Sequence, residues 1–259
     1  MTCQKSFLSF NRDMFRKLDE KSLYRLIFLD GIFLIGFSIY NYVSGRKFPA
    51  YKTHSGLNWF LFNLEFSSNY EHITNLVGKV GDEILTNNLN TLLQILELDY
   101  LYIFIYSIYF LGIFEISSKL FNPPTYIKAG YYFLMIIIIL LDIFQNIILT
   151  EILNSNLSNP RLDYIYYLPR VSILLWNLIF FNLSMSGILI WLGTTELQLR
   201  IISLFFFLPP IFSIFSLLGR LDLVEVGLEV AVPGMIGFFL QSAWKIITGL
   251  LTKRNMQKT

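Results

Sequence analysis

The apolar residues of this chain gather in blocks instead of recurring at a period of two or 3.6 around one core. The blocks are about 18 to 22 residues long, enough to cross a hydrocarbon layer roughly 30 Å thick. They predict spans at 26–43, 99–117, 128–150, 171–192 and 201–218. A sixth, 228–246, is interrupted by Pro233, Gly234 and Gln241. The fold class expected is an all-α integral membrane bundle of about six transmembrane helices, or five if the last block only lies on the surface. A tail at 1–25 precedes the first span, residues 99–251 form the bundle, and a short basic tail occupies 252–259.

Residues 44–98 are the one sizeable segment outside the blocks. "GLNWFLFNLEFSS" alternates loosely enough for a short strand or an interfacial segment. Beyond it, Ile73, Leu76, Val77, Val80, Ile84 and Leu85 fall at helical intervals. Gly81 and the pair Asn87 and Asn88 are expected to divide that stretch into two short helices. The segment reads as mainly helical, either an amphipathic cap on the membrane surface or a folded loop over the bundle end.

Composition agrees with the blocks. Hydrophobic residues make up 54% of the chain and charged residues 15%, where soluble domains run near a quarter charged. No basic stripe interleaved with aromatics appears, which argues against nucleic acid as a partner. Cys3 is the single cysteine, and His54 and His72 are the only histidines. Neither an intrachain disulfide nor a cysteine- or histidine-based metal centre is expected. No cofactor is indicated. The N-terminal tail carries six Lys or Arg with Asp13, Asp19 and Glu20 and no small-residue cleavage pattern, so the first span is expected to be retained.

Lys and Arg in the short flanks favour both termini in the cytoplasm, with 44–98 and 151–170 outside. The location expected is the cytoplasmic (inner) membrane, multi-pass. Trp59, Tyr126, Tyr131, Tyr164, Tyr166, Tyr167, Trp191 and Trp244 fall near span ends and read as an aromatic belt. Pro209 and Pro210 lie inside the fifth span and must kink or break it.

The chemistry sits in "LLDIFQNIIL", residues 140 to 149. A carboxylate near the bilayer centre costs about 2.5 to 3.5 kcal/mol, so it turns toward protein or a wet cavity. Asp142, Gln145 and Asn146 are spaced to share one helical face, which Thr150 prolongs. In the preceding span Asp99, Tyr102, Tyr106 and Tyr109 form a second stripe. The loop between the two spans contains Pro123 and Pro124 and is short, which makes the spans antiparallel neighbours. Reflection about that loop places Asp99 near the depth of Asn146, and Asp142 between Tyr102 and Tyr106. The candidate ligand-binding residues are therefore Asp142, Gln145, Asn146, Asp99, Tyr102 and Tyr106. Two plainer readings stand beside this one: a polar cluster joining helices, and Asp99 as a helix N-cap. Asp30, in the first span, either snorkels or pairs with Arg25.

The strings "NLEFSSNYEHITNLV", "LELDYLYIFIYSIYF" and "ILLDIFQNIIL" resemble a family of uncharacterised bacterial integral membrane proteins over roughly residues 63–150. The resembling motifs are a Leu-Glu dipeptide, an Asp-aromatic pair with a later Tyr, and Asp-x-x-Glu-Asn. Here they fall on Leu64 and Glu65, on Asp99, Tyr100 and Tyr106, and on Asp142, Gln145 and Asn146, with Gln145 in place of the acid. The resemblance implies a site at these residues and no particular reaction.

The function expected first is a membrane protein whose second and third spans bind or move a small or lipidic ligand, with the lipid bilayer as its surroundings. Asp142 would carry the charge or proton, oriented by Gln145 and Asn146, and Asp99 would stand at the mouth. A membrane-embedded enzyme acting on lipid through Asp99 and Asp142 is the second reading, and a non-catalytic scaffold the third. The sequence leaves open whether the chain is an enzyme and how many copies assemble.

Overall fold

A computed structural model describes residues 19–45, 48, 57, 59–78, 83–155 and 162–256. The described residues form helices and no strand. In chain order these are α1 (Glu20–Gly45), α2 (Phe60–Glu65), α3 (Tyr70–Val77), α4 (Glu83–Phe121), α5 (Thr125–Asn154) and α6 (Leu162–Gly193). Then come α7 (Leu197–Phe207), α8 (Pro209–Ile214) with a 3-10 turn (Phe215–Leu218), and α9 (Asp222–Met256). Among the described residues, six helical stretches are long and apolar enough to cross a membrane: Glu20–Gly45, Asn87–Phe121, Thr125–Asn154, Asp163–Gly193, Leu197–Leu218 and Asp222–Leu250. The chain is an all-α membrane bundle.

The bundle wears its apolar side chains outward as well as inward, as a helix bathed in hydrocarbon must. Phe104, Phe133 and Leu140 are more than half exposed, while Ile113, Phe114 and Ile138 have no exposure at all. The helix α1 packs on α4 and α9, and α6 packs on α4, α5 and α7. Inside, one apolar core runs through the middle of the bundle. A second core lies at the end where α2 and α3 fold over the start of α4 and the end of α5. It is built from Leu64, Ile73, Leu76, Leu92, Ile148 and Leu153. The described part of the segment between the first two spans is thus a folded cap on the bundle end.

Three local expectations are corrected. The stretch allowing a strand is helical at α2, held by the Asn63 side chain donating to the carbonyls of Leu57 and Trp59 at 3.2 and 3.1 Å. The break near Asn87 and Asn88 is absent, because α4 runs through both. Asn88 instead donates its Nδ2 to the Val77 carbonyl at 2.7 Å and caps the end of α3. The expected break at Gly81, the role of Val80, and the side chains of Ile84, Leu85 and the 252–259 tail lie outside the described residues. Third, Pro233 and Gly234 do not interrupt the last span, which is one helix from Asp222 to Met256. Proline deletes a single helical hydrogen bond there. Gly234 is used for packing: a Cβ on it would come within 2.7 Å of Phe206.

Pro209 does break the fifth span, which stops at Phe207 and restarts at Pro209. Asn177 of α6 holds the second half. Its Nδ2 donates to Ser216 Oγ at 3.1 Å, and Ser213 Oγ donates to its Oδ1 at 3.0 Å. Tyr131 leaves the expected aromatic belt altogether. It is fully buried and stacked on Phe114 at 3.6 Å between ring centroids. Asp30 forms no ion pair with Arg25, and its Oδ2 is buried without a hydrogen-bond partner among the described residues.

Candidate functional site

The polar residues of α4 and α5 meet near the junction of the two cores. Asp142, Gln145 and Asn146 are buried, at 9%, 2% and 3% exposure. The hairpin brings Asp99 to the depth of Asn146, whose Nδ2 donates to Asp99 Oδ2 at 2.7 Å. Two turns further along α4, the Tyr106 hydroxyl donates to Asp142 Oδ2 at 2.6 Å. Tyr106 is held by an edge-on contact with Tyr102, centroids 5.7 Å apart, and by Phe110 at 5.5 Å. Tyr102 lies against Ser38 and Phe37 of α1. Tyr109, the last of the stripe, leaves the site and donates to the Met235 carbonyl of α9 at 2.7 Å.

Gln145, one turn along the same face of α5 from Asp142, turns toward α6 and the cap. Its Nε2 donates to Ser172 Oγ at 2.8 Å. Ser172 in turn donates to the backbone carbonyls of Glu65 and Leu168, both at 2.9 Å. The Trp176 indole donates to Glu65 Oε2 at 2.8 Å. Glu65 is the last residue of α2, whose Phe62 packs on Trp176 at 4.9 Å and stacks on Phe66. A cap residue therefore reaches into the bundle and joins the polar cluster.

Glu65, Asp99 and Asp142 consequently form one electrostatic group: Asp99 acts on Glu65, and both act on Asp142. Each carboxylate accepts from a neutral donor, Trp176, Asn146 and Tyr106 respectively. The ion pairs formed between described residues lie elsewhere, Arg220 with Asp222 at 2.8 Å and Lys245 with Glu196 at 3.4 Å. Glu65, outside the spans, is pushed up from the usual 4.5 to about 7. Burial is the main cause and the charge of Asp99 adds to it, against the opposing hydrogen bonds of Trp176 and Gln145. Among the described residues no group of three or more His, Cys, Asp or Glu is arranged to hold a metal ion.

All six residues singled out in the sequence lie in or beside this cluster. Sequence reasoning left out Glu65, Ser172 and Trp176 as members. Ser172 and Trp176 share a face of α6, one turn apart, and a Trp well inside an apolar block was the available signal. Nothing in the spacing tells that α2 folds back, so Glu65 stood out only through the Leu-Glu motif.

Fold and site together define an integral, multi-pass membrane protein with a partly buried acidic cluster under a helical cap. No family model, curated protein or solved structure matches the chain.

Proposed function

We propose that the chain is a protein of the cytoplasmic membrane, with both termini cytoplasmic, whose cluster under the outer cap binds or moves a small or lipidic ligand carrying positive charge. The observation that carries this reading is that Glu65, Asp99 and Asp142, from α2, α4 and α5, belong to neighbouring polar contacts in one region, each accepting a hydrogen bond from a neutral donor. Three carboxylates held together in a low dielectric repel one another, and a cation or protons between them relieve that repulsion. Asp142 is the deepest of the three in the bundle and the charge carrier; Gln145 and Asn146 orient the group, and Asp99 and Glu65 stand toward the cap. The Lys and Arg bias of the flanks supports the orientation. The resemblance to bacterial membrane proteins points to the same residues, since its motifs include Glu65, Asp99, Tyr106, Asp142, Gln145 and Asn146.

The test is thermal unfolding of the detergent-purified protein with tetramethylammonium or dodecylammonium added. A cation at about 100 times its dissociation constant stabilises the native chain by about 2.7 kcal/mol. Asp142→Asn is expected to keep the helical signal and lose this response. A wild type that responds to neither cation, or an Asp142→Asn variant that responds like wild type, would overturn the reading. If Asp142→Asn fails to assemble, the cluster is a helix-joining device instead.

A further inference from the structure

On the far side of the bundle, α7 and α9 enclose a groove of about 500 Å³ that opens on the outer surface of the spans. Its floor is Ile202 and Gly237, where a Cβ on the glycine would lie 2.9 Å from the isoleucine side chain. Leu240 and Trp244, each 59% exposed, form one wall. Gln241 and the exposed Gln198 also line it; Gln241 is 7% exposed as a residue, makes no hydrogen bond with a described residue, and presents its amide to the groove. An amide that faces the membrane side without a protein partner takes a polar atom from outside the protein.

We propose that the groove is a binding site for a diacyl glycerolipid, with an acyl chain over Leu240 and Gly237 and an ester carbonyl accepting from Gln241 Nε2. The depth fits. Lys245 pairs with Glu196 just before the start of α7, and Gln241 lies one turn further in along α9, about 6 Å at 1.5 Å per residue. Charged groups thus mark the headgroup level, the Trp244 indole the interface, and Gln241 the level of the ester groups beneath it. This site is independent of the acidic cluster, which lies at the opposite end of the bundle, by the cap.

The test uses the full chain reconstituted in vesicles of dioleoylphosphatidylglycerol or of the matching dialkyl ether lipid, released into detergent and weighed by native mass spectrometry. Wild type is expected to retain one ester lipid per chain and about five-fold less ether lipid, the equivalent of one neutral hydrogen bond. Gln241→Leu, with unchanged helicity by circular dichroism, is expected to retain both lipids at the same low level. Equal retention of ester and ether lipid by wild type overturns the proposal, whether or not the variant folds. So does an ester preference that survives Gln241→Leu. A lipid-free dimer overturns it as well, by assigning the groove to a second copy of the chain.

Discussion

Replacing Glu65 by Gln should make the protein more stable at neutral and alkaline pH. The folded chain holds the Glu65 proton up to about pH 7, whereas the unfolded chain releases it near 4.5. Below 4.5 both states are protonated and the stability linked to this group is fully present. Between 4.5 and 7 the unfolded state loses its proton first, so stability falls by about 1.4 kcal/mol for each pH unit. Above 7 the loss is complete, at about 3 kcal/mol for the whole shift. A glutamine does not titrate, and its carbonyl still accepts the Trp176 indole hydrogen bond. The variant should therefore match wild type at pH 4 and exceed it by about 3 kcal/mol at pH 8. Reversible unfolding in mixed micelles, followed by circular dichroism at unit pH intervals from 4 to 8, measures the difference between the two proteins. Taking that difference cancels the titration of other groups. Parallel curves for wild type and Glu65→Gln would refute the placement of Glu65 inside the cluster.

Other consequences are equally direct. A double-mutant cycle of Tyr106→Phe with Asp142→Asn should show a coupling of about 1 to 3 kcal/mol in unfolding free energy, and additive losses would mean that the 2.6 Å contact contributes nothing. Asn177→Leu should cost about 1 to 2 kcal/mol by releasing Ser213 and Ser216, with amide exchange rising between Pro209 and Leu218 and not in α7. Gly234→Leu should destabilise by about 1 to 3 kcal/mol or more, because its side chain enters the space of Phe205 and Phe206; an unchanged unfolding midpoint would show that α7 and α9 do not pack as described.

Much of the bundle was legible because hydrocarbon imposes one rule, that a spanning segment be apolar over its whole length. The same rule explains what was missed. Pro233 and Gly234 look like breakers in sequence, yet only Pro209 breaks: α9 runs on through Pro233, and Gly234 serves close packing against Phe205 and Phe206. Asn87 and Asn88 look like a turn, but α3 ends short of them and gives Asn88 a carbonyl to cap. Within the site, hairpin symmetry was enough to bring Asp99 to the depth of Asn146 and Asp142 to that of Tyr102 and Tyr106, and the structure makes Tyr106 the partner. Glu65 needed a tertiary fold-back that no local period encodes, and its partners Ser172 and Trp176 were hidden with it.

The length of α4 has a mechanical corollary. Thirty-nine residues of unbroken helix make a rod about 58 Å long, almost twice the thickness of the hydrocarbon layer. One end is gripped by α3 through Asn88 and Leu92; further along the same rod sit Asp99, Tyr102 and Tyr106. Asn88, held by α3, thus lies about 16 Å of unbroken helix from Asp99, and the cap and the acidic cluster share one structural member.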